Sequence, residues 1–322
     1  MRKHLSTLLK IGVTVVGIIY IVAKMDLAQI VNVLANVKWP WAVLALLLIT
    51  ASLFLRAFRW QLLLRGLGVP ISFGRLSNLY FVGNFFNAFL PSGFGGDVMR
   101  VVEASRNIPV SIATGTVLVD RLTGLLMLFV MGLLALPFRP DNFSVQLTWL
   151  VALVSIVGLL AGAILFEGRL IRRFGGWLPD KLSPVGDGPI AQVLQAVQGC
   201  GWTAVAQALF ISTLFNLTLV AWWWIAGVAL GFQIAYSYYL LVIPILSITL
   251  LVPSISGLGV RENLAPFLFA AVSLSGEEAA ALSLLVFLIM RVSSLFGAPV
   301  YVLSLLHHSQ TKIAEPVSDQ TP

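Results

Sequence analysis

The chain has a single cysteine, Cys200, which rules out an intramolecular disulfide and any cysteine-based metal site. Its three histidines, His4, His307 and His308, sit near the chain ends without acidic partners at helical spacing. No Ser, His and acid constellation falls in an apolar segment, so neither a hydrolytic triad nor a metal centre is expected, and no cofactor is implied. Charge is scarce as well. Only 10% of the 322 residues are Asp, Glu, Lys or Arg, and the mean hydropathy of +0.96 excludes a soluble domain with a wet surface. The formal net charge is +7, but no polar domain carries basic residues interleaved with aromatics, so nucleic acid is not a partner. The basic residues read instead as topology signals.

What the chain has in abundance is apolar runs. Segments long enough to cross a bilayer occupy residues 8–23, which is short, and 39–64, 111–136, 145–166, 202–230 and 279–306. The sequence therefore specifies an all-α polytopic membrane protein with about six full spans. The basic amino terminus and the first apolar run resemble a signal peptide, but no small-x-small cleavage site follows, so an uncleaved helix is expected.

Two shorter apolar stretches, 76–90 and 236–252, each run into proline and a glycine cluster, LPSGFGGDVMR and VPSISGLGVRE, with a short apolar follower at 265–274 behind the second. Non-helical backbone at membrane depth is tolerated only where protein buries it or a water-filled cavity solvates it. If the first stretch dips in and returns on the same side, Arg2 and Lys3, Arg65, Arg75, Arg100, Arg106 and the 169–181 cluster fall on one face. The positive-inside rule then holds, with both termini cytoplasmic. Re-entrant hairpins are the favoured reading, and pairs of short helices in the same place satisfy the rule equally well.

GLGVPISF at 66–73 aligns with ALGFQIAY at 229–236, and the two proline–glycine clusters align at nearly the same offset. Repeat one covers about 39–136 and repeat two about 202–306, joined by the 145–166 span and a cytoplasmic segment at 167–201. The whole forms one transmembrane domain over 1–306, followed by a polar, disordered tail at 307–322. Three spans separate the two starts, so the repeats are inverted. Inverted repeats with broken helices in matching places are the pattern of an alternating-access transporter with a site near mid-depth.

Arg121 and Arg291 fall near the centres of their spans, where a charge costs at least about 2.5 kcal/mol and must face a partner or water. Either a carboxylate such as Asp120 neutralises a structural arginine, or arginines from both repeats meet at a cavity and bind an anion through their planar forks. Asp120 points away from its neighbour Arg121 along the helix, so it is a poor partner for it. Asp97 with Arg100 and Arg261 with Glu262 close the two hairpins, as structural turns with local ion pairs or as ligand groups. Gly95, Gly96, Gly257 and Gly259 permit tight turns with backbone N–H groups open to an anion. Arg56 extends a positive path into its span, whereas Arg59 and Arg65 read as snorkelling to the headgroups. Asn84, Asn87 and Asn216 read as interhelical glue. Burial tends to raise a carboxyl pKa unless an arginine offsets it, so Asp97, Asp120 and Glu262 are also candidates for proton exchange.

With NAFLPSGFGGDVMR, the following VDR, and PSISGLGVRE, the chain resembles the flippase-like membrane family related to the transmembrane region of lysylphosphatidylglycerol synthases. The resemblance implies a translocator of lipid in the bacterial inner membrane, acting on an anionic phospholipid or a lipid-linked phosphate. Synthesis in that family resides in a separate aminoacyltransferase domain that is not expected in this chain. An intramembrane enzyme using Asp97 or Glu262 as base, or an accessory partner of a lipid-modifying enzyme, is the alternative.

Overall fold

The computed structural model describes residues 15, 16, 19, 23, 25–89, 95–141, 143–168, 188–248 and 259–304. Eleven α-helices are found among them: α1 (Leu27–Ala35), α2 (Trp39–Gly66), α3 (Phe73–Phe89), α4 (Gly95–Ala104), α5 (Val110–Ala135), α6 (Val145–Glu167), α7 (Pro189–Gly199), α8 (Trp202–Ala229), α9 (Tyr236–Ile248), α10 (Arg261–Phe269) and α11 (Gly276–Leu295). The chain is an all-α polytopic membrane protein. Five helical stretches, Trp39–Gly66, Val110–Phe138, Val145–Glu167, Trp202–Ala229 and Gly276–Ser304, are long and apolar enough to cross a membrane. These are five of the six expected spans. The sixth, at 8–23, lies largely outside the described residues, as do the 169–181 basic cluster and the 307–322 tail.

The spanning helices show almost no amphipathic bias, because one face meets lipid and the other meets protein and both are apolar. What distinguishes the faces is side-chain size. In α6, Gly158 and Gly162 sit one turn apart against Phe129 and Leu126 of α5, where any side chain would collide. Small residues are how membrane helices approach closely without a hydrophobic driving force between them. Outward from that seam, α6 presents Trp149, Leu153, Val157 and Leu160.

The centre of the fold is the pair α2 and α8, which share the largest helix–helix interface. The Lys38 N–H, at the start of α2, donates to the Ala229 carbonyl at the end of α8 (2.8 Å). At the other extremity Gly66 lies against the Cys200 carbonyl and Ala204, leaving no room for a Cβ. The two helices are therefore antiparallel along their whole length, ~42 Å each at 1.5 Å per residue. Cys200 belongs to this seam; burial pushes its thiol up to about 11, which disfavours the reactive thiolate.

Each glycine-rich stretch resolves into two short helices. In the first, α3 packs on α4, and Arg75 at the start of α3 donates to Asn107 just beyond the end of α4. In the second, the Tyr238 hydroxyl near the start of α9 donates to the Leu268 carbonyl near the end of α10. Both pairs thus turn back to the level where they began. The expected apolar follower at 265–274 is the end of α10 and a 3-10 turn, Ala270–Val272. Because α2 and α8 are antiparallel and each hairpin follows the carboxyl end of one of them, the hairpins open from opposite ends of the bundle. The long helix that closes each half clasps the other half's hairpin: α5 packs on α9 through Gly132 and Pro244, and α11 packs on α3, as does Gly297 just beyond its end, which lies against Phe81. The turns 90–94 and 249–258 lie outside the described residues, and with them Gly257.

This arrangement makes a topological prediction. In a protein whose native Cys200 is replaced by serine, Ser72→Cys and Asn107→Cys are expected to react with an impermeant maleimide from one side of the membrane and Gln233→Cys from the other. All three positions are exposed. Labelling of Ser72→Cys and Asn107→Cys from opposite sides would mean that the first helix pair crosses.

Candidate functional site

A cavity of about 290 Å³ lies at mid-height of the α2–α8 pair. Its wall draws on seven helices. Ile49, Leu53, Arg56 and Arg59 come from α2; Asn84, Asn87 and Ala88 from α3; Arg121, Gly124 and Leu128 from α5; Phe215, Asn216, Trp222 and Trp223 from α8. The α9 end supplies Ile243 and Ser247, α10 supplies Arg261 at its first residue, and α11 supplies Met290, Arg291 and Ser293. The carboxyl ends of α3 and α9 and the amino end of α10 converge on this space. Five arginines line it, and no carboxylate does, among the described residues.

The carboxylates stand one layer behind. Asp120 is fully buried and accepts from Arg59 Nε (2.6 Å), Arg100 Nη2 (3.0 Å) and the Tyr80 hydroxyl. Arg100 bridges onward to Asp97 (3.1 Å), and Asp97 meets Arg121 Nε through its other oxygen. A chain Arg59–Asp120–Arg100–Asp97–Arg121 thus ties α2, α4 and α5 together. Arg100 is 2% exposed and lies over the rings of Tyr80 (3.8 Å) and Trp60 (4.3 Å). That combination of ring faces and two carboxylates makes it an anchor inside the wall.

The second hairpin carries a smaller version. Glu262 accepts from Arg261 Nη2 (2.9 Å), from the Ser283 hydroxyl (3.2 Å) and, through its other oxygen, from the Gly259 N–H (2.8 Å). Gly259 adopts φ +81°, a left-handed conformation that glycine takes without strain. Arg261 also donates to the Ser283 hydroxyl of α11 (2.9 Å). Arg291 differs from the others. Its Nη1 donates to the Ala88 carbonyl at the tip of the first hairpin, its guanidinium lies 4.5 Å from the Phe287 ring centre, and its Nη2 is buried with no acceptor among the described residues. Arg56 makes no ion pair among the described residues and rests between Tyr80 (5.0 Å) and Phe215 (5.4 Å).

Of the residues singled out in the sequence, Arg56, Arg121, Arg261 and Arg291 reach the cavity, from α2, α5, α10 and α11. Asp97, Arg100, Asp120 and Glu262 stand behind the lining and hold it. Asp97, not Asp120, is the partner of Arg121. Gly95 and Gly96 are buried at the start of α4, and the Gly96 N–H is taken by Asn87 Oδ1 (2.7 Å). The Gly259 N–H is taken by Glu262, so these two glycine donors are engaged within the protein. Asn216 Nδ2 donates to the Gly124 carbonyl of α5 (2.9 Å), as interhelical glue does.

Arg59 does not snorkel. It is 3% exposed, pairs with Asp120 and Ser212, and lines the cavity, whereas Arg65, two turns further on, is exposed. The signal that would have found it is its three-residue spacing from Arg56, which puts both on one helix face. Tyr80 had no such signal.

Comparison with known proteins agrees with this architecture. The family model described as lysylphosphatidylglycerol synthase TM region matches residues 7–297. The UPF0104 membrane protein PH1989 of Pyrococcus horikoshii is 30% identical over 139 residues, which is 42% of this chain and 40% of that protein's length.

Proposed function

Since the chain belongs to the lysylphosphatidylglycerol synthase TM region family, we propose that it moves a lipid with an anionic, phosphate-bearing headgroup between the two leaflets of the bacterial inner membrane. The observation that carries this reading is the mid-height cavity walled by five arginines and approached by one hairpin from each end. A fixed site between two opposed halves, with broken helices aimed at it, is what alternating access requires. Guanidinium groups in a low-dielectric space bind phosphate oxygens in bidentate geometry, and a site flanked by two hairpins can be uncovered from either side in turn.

The cavity is small for a ligand site, at the low end of the ~300–1,000 Å³ typical of such pockets. It suits a headgroup, with the acyl or isoprenoid chains left in the bilayer. An enzymatic role for Asp97 or Glu262 finds less support, because both carboxylates are held by arginines and neither faces the cavity. In the orientation that follows the positive-inside rule, the end bearing Arg65, Arg75 and Arg106 faces the cytoplasm. A lipid-modifying enzyme that supplies or consumes the lipid is the natural partner.

The purified chain, reconstituted alone into vesicles, is expected to make a fluorescently labelled anionic phospholipid in the inner leaflet accessible to dithionite well above protein-free vesicles, with the lipid's mass unchanged. A chemically altered headgroup would assign the protein to lipid modification instead. No movement without a second protein would make it an accessory subunit.

A further inference from the structure

Six arginines line the cavity or pair with the carboxylates behind it: Arg56, Arg59, Arg100, Arg121, Arg261 and Arg291. Against them stand three carboxylates, Asp97, Asp120 and Glu262. The formal excess is three positive charges. The hairpin turns do not alter it, since the sequences at 90–94 and 249–258 contain no charged residue. Uncompensated charge at membrane depth is costly, so such an excess is maintained for what it binds.

The hydrogen-bonding inventory points the same way. Arg291 Nη2 and the Trp222 indole N–H are buried without an acceptor among the described residues, and both residues belong to the cavity wall. Buried donors without acceptors are uncommon and call for a partner that the described residues do not provide. A ligand that satisfies them is rich in acceptors. A headgroup ammonium, by contrast, would meet five guanidinium groups and no lining carboxylate.

We infer that the cavity selects a terminal phosphate with at least two negative charges, a phosphate monoester or a diphosphate, over the single charge of a phosphodiester headgroup. The inference rests on the anion-binding cavity of the preceding section and deepens it to a substrate class. A phosphomonoester carries ≈ −1.5 to −2 near neutral pH and three acceptor oxygens. A diester carries one charge and offers only two unesterified oxygens. With three excess positive charges to neutralise, the monoester removes about twice as much of the imbalance as the diester.

The test uses the full-length protein in detergent, with binding read from the rise in thermal unfolding midpoint as ligand is added. The probes are dioctanoyl phosphatidic acid, dioctanoyl phosphatidylglycerol and inorganic pyrophosphate. Phosphatidic acid is expected to bind at least ~10-fold tighter than phosphatidylglycerol at pH 7.5, with a steeper loss of affinity as KCl is raised, since its attraction involves more charge. Arg291→Gln and Arg56→Gln are expected to shrink that ratio by weakening phosphatidic acid more than phosphatidylglycerol. The salt comparison on the parent protein keeps the test decisive if either variant fails to fold. Equal affinities with parallel salt slopes, or tighter phosphatidylglycerol, would overturn the inference.

Pyrophosphate competing with phosphatidic acid identifies a lipid-borne phosphate. Pyrophosphate binding with no response to phosphatidic acid keeps the charge selectivity but makes the ligand a soluble anion. The two readings also fail separately. Selective binding without lipid movement in vesicles removes translocation and leaves the headgroup class standing, whereas equal binding and equal movement of both lipids does the reverse.

Discussion

An Arg291→Lys protein is expected to insert and purify like its parent yet to move anionic lipid at least ~10-fold more slowly, a difference on the order of 1.4 kcal/mol in the transport barrier. The reason lies in how the guanidinium is divided. Nη1 is committed to the Ala88 carbonyl at the first hairpin tip, which leaves Nη2 for the ligand. Lysine keeps the charge but has one nitrogen at the end of a flexible stem and cannot hold a planar fork between two acceptors. Arg121→Lys is expected to behave alike, because Arg121 meets Asp97 through Nε, an edge that lysine does not possess. Arg65→Lys, at the exposed end of α2, should leave transport within about twofold. Dithionite accessibility of labelled lipid in vesicles with equal protein content measures all three. Normal movement by both central variants would refute direct recognition of the headgroup. Aggregation of both would show that these arginines serve the fold.

The largest expected effect on stability is at Asp120. Asparagine has nearly the same shape, but Asp120→Asn leaves Arg59 and Arg100 buried and facing each other across a neutral amide. Removing one member of a buried ion network typically costs ~3–5 kcal/mol, because the remaining charges lose their compensation while staying out of water. The midpoint of thermal unfolding in detergent is therefore expected to fall by roughly ten degrees, or the protein to fail to purify as a single species. Glu103→Gln is the matched control. Its partner Arg106 is 43% exposed, and pairs of that kind contribute ~0–1 kcal/mol. Equal midpoints for the Asp120→Asn and Glu103→Gln proteins would mean that the network behind the cavity is not holding it.

The broad architecture could be read from hydropathy because each spanning helix must satisfy its own backbone in lipid, which forces long apolar runs. The opposed hairpins could be read as well, from two proline–glycine clusters that follow matching segments. What hydropathy does not carry is the direction in which a polar residue faces. In α2 both faces are apolar, so hydropathy does not separate Arg59, which turns inward to Asp120, from the exposed Arg65; only the three-residue spacing of Arg59 from Arg56 does. The same limit explains why Asp97, Arg100, Asp120 and Glu262 read as ligand groups. Their depth was evident, but whether they form the wall of the cavity or its supporting layer is decided by contacts between α4, α5 and α2 that are distant in sequence. Tyr80 is an extreme case. An aromatic residue among aromatics in α3 carries no mark of the hydroxyl that completes the coordination of Asp120.

The helix α11 touches both hairpins where they reach the cavity. Arg291 reaches the Ala88 carbonyl of the first, and Ser283, two turns earlier on the same rod, holds Arg261 of the second. A helix resists compression along its axis, so an axial slide of α11 carries both contacts the same distance in the same direction. The hairpins, however, face opposite ends of the bundle. A slide that drives one contact toward the mouth of its hairpin draws the other away from its own mouth. If lipid moves as proposed, by uncovering the hairpins in turn, the two share one mechanical coordinate, in the manner of an escapement, and a path open to both leaflets at once would require α11 to break one of its two grips.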